Sequence, residues 1–138
     1  MTRAYVANKD YSDLDNFWML QVTPKIHLNI YVWQSKIGLY RNTNFRKKNG
    51  SNYHLGAYIG VPFSRKYGLF GEIHLLREMI GAGYVSHEIQ HFINDYTCYL
   101  GLNLFKNNER LAYLVSDAVT AFWNEFYERY EWDNSSKG

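Results

Sequence analysis

The sequence predicts a single α+β domain in which strands come first and two long helices last. Three observations carry that expectation. Residues 26–32 and 53–61 alternate apolar and polar side chains with the period of two that belongs to strands. From Gly83 onward the apolar spacing changes to that of amphipathic helices. A chain of 138 residues, 46% of them hydrophobic, suffices for one core and is too short for two.

Taken in order, Leu14, Phe17 and Trp18 recur at helical spacing behind Ser12, a suitable N-cap, and predict a short amphipathic helix over residues 12–20 that Pro24 cannot continue. Ile26, Leu28, Ile30 and Val32 alternate with Lys25, His27, Asn29 and Tyr31, the pattern of a strand with one buried face. Tyr53, Leu55, Ala57, Ile59 and Val61 follow a polar turn at Asn49-Gly50, stop at Pro62, and predict a hairpin or meander. Residues 71–75 predict a short third strand at a sheet edge, so the sheet has about three strands, antiparallel or mixed. Val85, Ile89, Phe92, Ile93, Tyr96 and Leu100 then form one helical face, ended by Gly101 in a Schellman-type cap with Leu102 packing back. Asn107 or Asn108 caps the next helix, whose face runs through Leu111, Leu114, Val115, Ala118, Phe122 and Phe126. Residues 1–138 form one domain, with 133–138 a frayed tail.

The lone Cys98 excludes an internal disulfide. No apolar run approaches the roughly 18 residues of a membrane span, and the first ten residues lack the apolar stretch of a secretory signal. The expected setting is the cytoplasm. The net charge of +2 hides an asymmetry: the stretch between Asp15 and Glu72 contains eight basic residues and no acid, and the chain from Glu72 onward is acidic. Segment 25–66, with Arg46, Lys47 and Lys48 at its centre, can face an acidic protein partner or serve as a soluble turn. No nucleic-acid-binding motif accompanies it.

His87-Glu88-Ile89-Gln90-His91 is an HExxH motif within the first long helix. Two histidines at i and i+4 leave the same helical face, so both imidazoles can reach one metal ion while the adjacent glutamate addresses a water beside it. The third ligand expected from the residues is Glu109, in the opening turn of the next helix. Asp95, one turn beyond His91, is displaced along the axis by about 6 Å. Asp117 suits a supporting role. A His, His and Glu set favours zinc over calcium or magnesium.

On these residues the chain resembles the gluzincin-type zinc metallopeptidases, the class of thermolysin, in which HExxH on one helix is completed by a glutamate on the next. It is also similar to small single-domain HExxH proteins of bacteriophages and mobile elements, through Gly71-Glu72-Ile73-His74-Leu75 and Asn108-Glu109-Arg110-Leu111-Ala112-Tyr113-Leu114. The resemblance implies a minimal zincin-like fold, zinc held by His87, His91 and Glu109, and Glu88 as general base in peptide hydrolysis. It also implies that 71–75 is the edge strand receiving an extended substrate. Thermolysin-like enzymes carry aspartate where this chain has Tyr113, and a helical subdomain after the glutamate ligand where only 29 residues follow Glu109. His74, Tyr96 or Tyr113 is then expected to stabilise the oxyanion, while His27 and His54 read as ordinary sheet residues.

Two functions follow as expectations. One is a small zinc-dependent metallopeptidase acting on a peptide or protein. The other is a phage-encoded, zinc-stabilised binding protein in the host cytoplasm, inhibiting a defence or regulatory complex through its basic face.

Overall fold

The computed structural model describes residues 5–43, 56–61 and 67–137, the last seven of these by backbone alone. Strands β1 (Leu14–Gln21), β2 (His27–Trp33), β3 (Gly56–Gly60) and β4 (Leu69–Leu76) form one sheet in the order β1-β2-β4-β3. Helix α1 (Lys36–Thr43) follows β2, and α2 (Ala82–Leu100) and α3 (Asn108–Lys137) close the chain. The α+β class and the two long C-terminal helices packed on the sheet agree with the sequence expectation. The sheet has four strands rather than about three, and it is mixed: β2 and β4 are parallel while both outer pairs are antiparallel.

Where a helix was expected over residues 12–20, the chain turns at Ser12 and Asp13 and then forms strand β1. Trp18 and Leu20 lie in the core opposite Ile30 and Leu28, while Phe17 and Met19 point to the other face. The i, i+3, i+4 spacing of Leu14, Phe17 and Trp18 therefore coincides with a period-two strand whose pairing with β2 overrides local propensity. Pro24 sits in the tight connection to β2, where the Thr23 hydroxyl accepts the N–H groups of Lys25 and Ile26.

Each face of the sheet has its own cover. Trp18, Leu20, Leu28, Ile30, Val32, Ile73 and Leu75 meet Val85, Ile89, Phe92 and Ile93 of α2 and Leu111, Ala118 and Phe122 of α3. Here Phe70 meets Phe92 and Tyr96 edge-on at 5.7 and 5.3 Å. On the opposite face Tyr31 and Trp33 pack with Leu39 of α1. β2 is thus buried on both faces, although its alternation suggested one. The sequence had not marked α1. Its start is fixed by Asp13, whose carboxylate accepts the Ser35 N–H and hydroxyl, and Gly38 leaves room for that side chain, since a Cβ there would stand 2.2 Å from Asp13 Oδ2.

Residues 71–75 belong to an interior strand, correcting the expectation of an edge. β4 is hydrogen-bonded on both sides, and Phe70–Leu76 are all buried. The edge beside it is β3, which carries the described part of the second alternating run; Tyr53, Leu55 and Pro62 lie outside the described residues. Arg46, Lys47, Lys48 and His54 lie outside them as well.

Gly101 ends α2 as expected, at φ 67° and ψ 32°, with the Leu102 N–H reaching the Thr97 carbonyl and the Gly101 N–H reaching that of Cys98. In the turn ahead of α3 the Asn103 side chain accepts the N–H groups of Phe105 and Lys106, while Asn107 donates its amide to the Asn103 carbonyl. α3 runs back along α2 to Lys137, and Tyr130 meets Asp15 and the Arg77 guanidinium just before α2 begins. No helix among the described residues is long and apolar enough to cross a membrane.

Candidate functional site

α2 is held to the sheet from its first turn, where the Tyr84 hydroxyl accepts the Leu76 N–H at 2.8 Å. The same helix presents its apolar stripe to the core and its HExxH residues toward β3. His87 and His91 are exposed, and Glu88 is 4% exposed. Burial, joined by the Glu88 charge and opposed by the Leu76 hydrogen bond, raises the Tyr84 phenol above its ordinary value.

The two imidazoles cross nearly at right angles, with Nε2 atoms 3.2 Å apart. Two nitrogens at about 2.05 Å from a tetrahedral zinc stand about 3.3 Å from each other. The separation matches that of two adjacent ligand positions on one ion, and it is also that of a hydrogen bond between the two rings. Among the described residues no third histidine, cysteine, aspartate or glutamate completes a metal-holding group.

Glu109 does not join the pair. It is exposed in the first turn of α3, which starts beyond the far end of α2. Nine residues from His91 to the end of α2 correspond to ~13 Å of helix. Tyr113, 63% exposed, and Asp117, also exposed, lie further along α3. Tyr96 is half-buried between Phe70 and Phe92. His74 is fully buried on the sheet face that α2 does not cover, so it is separated from the HExxH pair by the sheet itself.

What the structure does place beside His91 is a cleft of about 570 Å³ lined by Tyr5, Tyr58, Ile59, Gly60, His91 and Asp95. The Tyr58 hydroxyl donates to Asp95 Oδ2 at 2.7 Å. Burial, then this bond, keep the Tyr58 phenol protonated far above its ordinary range. Tyr58 and Tyr5 were missed from sequence. Tyr58 stands between Ala57 and Ile59 in an alternating run, which marks a different sheet face but not a neighbour, and Tyr5 comes from a segment without a motif. A larger cavity, about 790 Å³, opens at the other end of α2 among Lys25, His27, Tyr67, Tyr96 and Tyr99, away from both motif histidines.

The opposite sheet face holds a buried polar network that no motif announced. Lys9 Nζ meets Glu72 Oε2 at 2.8 Å, with side chains 2% and 1% exposed. Glu72 Oε1 lies 2.9 Å from His74 Nε2, and the Trp33 indole N–H donates to His74 Nδ1 at 2.9 Å. That donor assigns the tautomer: Nδ1 accepts, so Nε2 carries the proton and donates to Glu72. Tyr31 stacks on His74 at 4.7 Å and lies, with Tyr5, under the Lys9 ammonium.

Burial above all depresses His74 from its ordinary 6.5, the Glu72 bond only partly opposing it. A second proton would also have to face the Trp33 donor. The unfolded chain therefore binds a proton that the folded chain refuses, and stability is expected to fall as pH drops below about 6.5. His27, depressed by burial, adds in the same direction. Denaturation midpoints measured between about pH 7.5 and 5.5 check this, with His74→Gln expected to flatten the dependence.

No family model, no curated protein and no solved structure matches this chain.

Proposed function

We propose that this chain is a small zinc-dependent peptidase-like protein, with His87 and His91 holding the metal and Glu88 acting as general base. The observation that carries the reading is the 3.2 Å separation of the two Nε2 atoms on one helical face, with Glu88 beside the first of them and an edge strand alongside. Zinc held there would supply Lewis acidity to a peptide carbonyl and to water. Glu88, largely withdrawn from solvent, would take the proton of the attacking water and return it to the leaving amine. The β3 edge offers backbone groups to an extended peptide, the task assigned from sequence to 71–75.

Elemental analysis of the purified chain tests the metal. One zinc per chain is expected, with loss in both His87→Ala and His91→Ala. The geometry further predicts that Glu109→Ala retains zinc, because Glu109 stands at the far end of α2. No zinc in the unaltered protein after supply of the metal would end this reading.

The basic stretch between Asp15 and Glu72 motivates a second reading, in which the ion stabilises a binding protein of the host cytoplasm without catalysis. That reading predicts that Glu88→Gln leaves a biological effect intact while charge reversal at Arg46, Lys47 and Lys48 removes it.

A further inference from the structure

The peptidase reading leaves open which side chain the site selects, and the cleft beside His91 has a chemistry of its own. Among the described residues that line it, Asp95 is the one carboxylate, and there is no lysine or arginine. Asp95 is exposed, so its charge is available to a ligand, yet it is not loose. Tyr58 donates to one of its oxygens. Two glycines make that arrangement possible. A Cβ on Gly60 would stand 2.9 Å from Asp95 Oδ2, and a Cβ on Gly71 would stand 2.6 Å from the Tyr58 ring. Adjacent strands thus give up side chains where the phenol and the carboxylate lie against the edge of the sheet.

The aromatic walls suit a cation as well. The Tyr5 ring lies 4.7 Å from one ammonium already, that of Lys9. Asp95 is one helical turn from His91, ~6 Å along the axis, which is about two residues of an extended peptide. Alternate side chains of such a peptide share one face.

We propose that this cleft is a subsite for a lysine or arginine side chain of an extended peptide lying along β3. Asp95 receives the ammonium or guanidinium group, and the rings of Tyr5 and Tyr58 cover the methylenes. The proposal rests on the peptidase reading for the peptide's path, but it makes a separate claim about charge.

The test uses the full zinc-loaded chain and capped alanine hexapeptides with lysine, norleucine or glutamate at one central position. Dissociation constants and hydrolysis are measured side by side. The lysine peptide is expected to bind roughly fivefold to tenfold more tightly than the norleucine peptide. Asp95→Asn, which keeps an acceptor for Tyr58, should erase that difference, and Asp95→Lys should transfer the preference to glutamate. A thermal melt establishes that both variants are folded. Equal binding of the lysine and norleucine peptides, or a lysine preference that survives in Asp95→Asn, would overturn the subsite. Lysine-selective binding without hydrolysis upholds the subsite and removes the peptidase reading. Hydrolysis with no dependence on the central residue does the reverse.

Discussion

Lys9→Met is expected to destabilise the fold by about 3–5 kcal/mol, the range seen when one member of a buried ion pair is removed. For a domain whose total stability is about 5–15 kcal/mol, that is a large share. The reason lies in what each proton of Lys9 meets. The ammonium contacts the Glu72 carboxylate and the Val6 carbonyl, and sits over the rings of Tyr5 and Tyr31. Methionine fills much of the same volume and meets none of these polar partners. Glu72, 1% exposed, would lose its cation and keep, among the described residues, the His74 N–H as hydrogen-bond donor. The double variant Lys9→Met, Glu72→Gln should recover most of the loss, since the amide oxygen can still accept from His74. Urea denaturation of the three proteins measures this directly. A loss below about 1 kcal/mol in the single variant would mean that the pair is not closed in solution.

On the proposed peptidase reading, Glu88→Gln is expected to lower the rate of peptide hydrolysis by about 10²–10⁴-fold while leaving the zinc content unchanged. The amide has nearly the shape of the carboxylate, and Glu88 is almost fully buried, so the helix should keep its packing. What is lost is the ability to take a proton. The histidine pair is exposed on the same helix and does not depend on that charge for its geometry. A quenched-peptide assay run beside metal analysis separates the two effects. Unchanged hydrolysis in the variant would assign the base elsewhere. Tyr113→Phe provides the contrast: its side chain is 63% exposed on α3, and its removal should leave the rate as it was.

How far the sequence disclosed this architecture depends on whether its signals were local. α2 and α3 were legible because their apolar stripes repeat at one spacing, and the end of α2 because Gly101 alone takes the left-handed conformation there. β2 was legible for the same reason, as a clean alternation. β1 was not, because three apolar residues at helical spacing outvote a period of two until the partner strand is known. The edge was misplaced for a similar cause: a short apolar run does not say how many neighbours it has, and β4 has two. The HExxH spacing brought His87 and His91 together because i and i+4 is a property of one helix. Glu109 depended on how two helices meet, which no spacing fixes. Lys9 and Glu72 were invisible for the strongest version of that reason, since a buried charge pair 63 positions apart leaves no periodic trace.

That same separation is repeated across the fold. β2 and β4 are parallel neighbours with α1 and β3 between them in the chain, so the centre of the sheet is closed by a contact distant in sequence. Lys9 with Glu72 and Asp15 with Tyr130 join still more distant positions. Such non-local pairings slow folding, because loop entropy is lost before the contacts reward it. The Lys9–Glu72 contact thereby ties the stretch ahead of β1 to the centre of the sheet, and a protein lacking it should show a slower approach to the native state than its loss of stability alone explains.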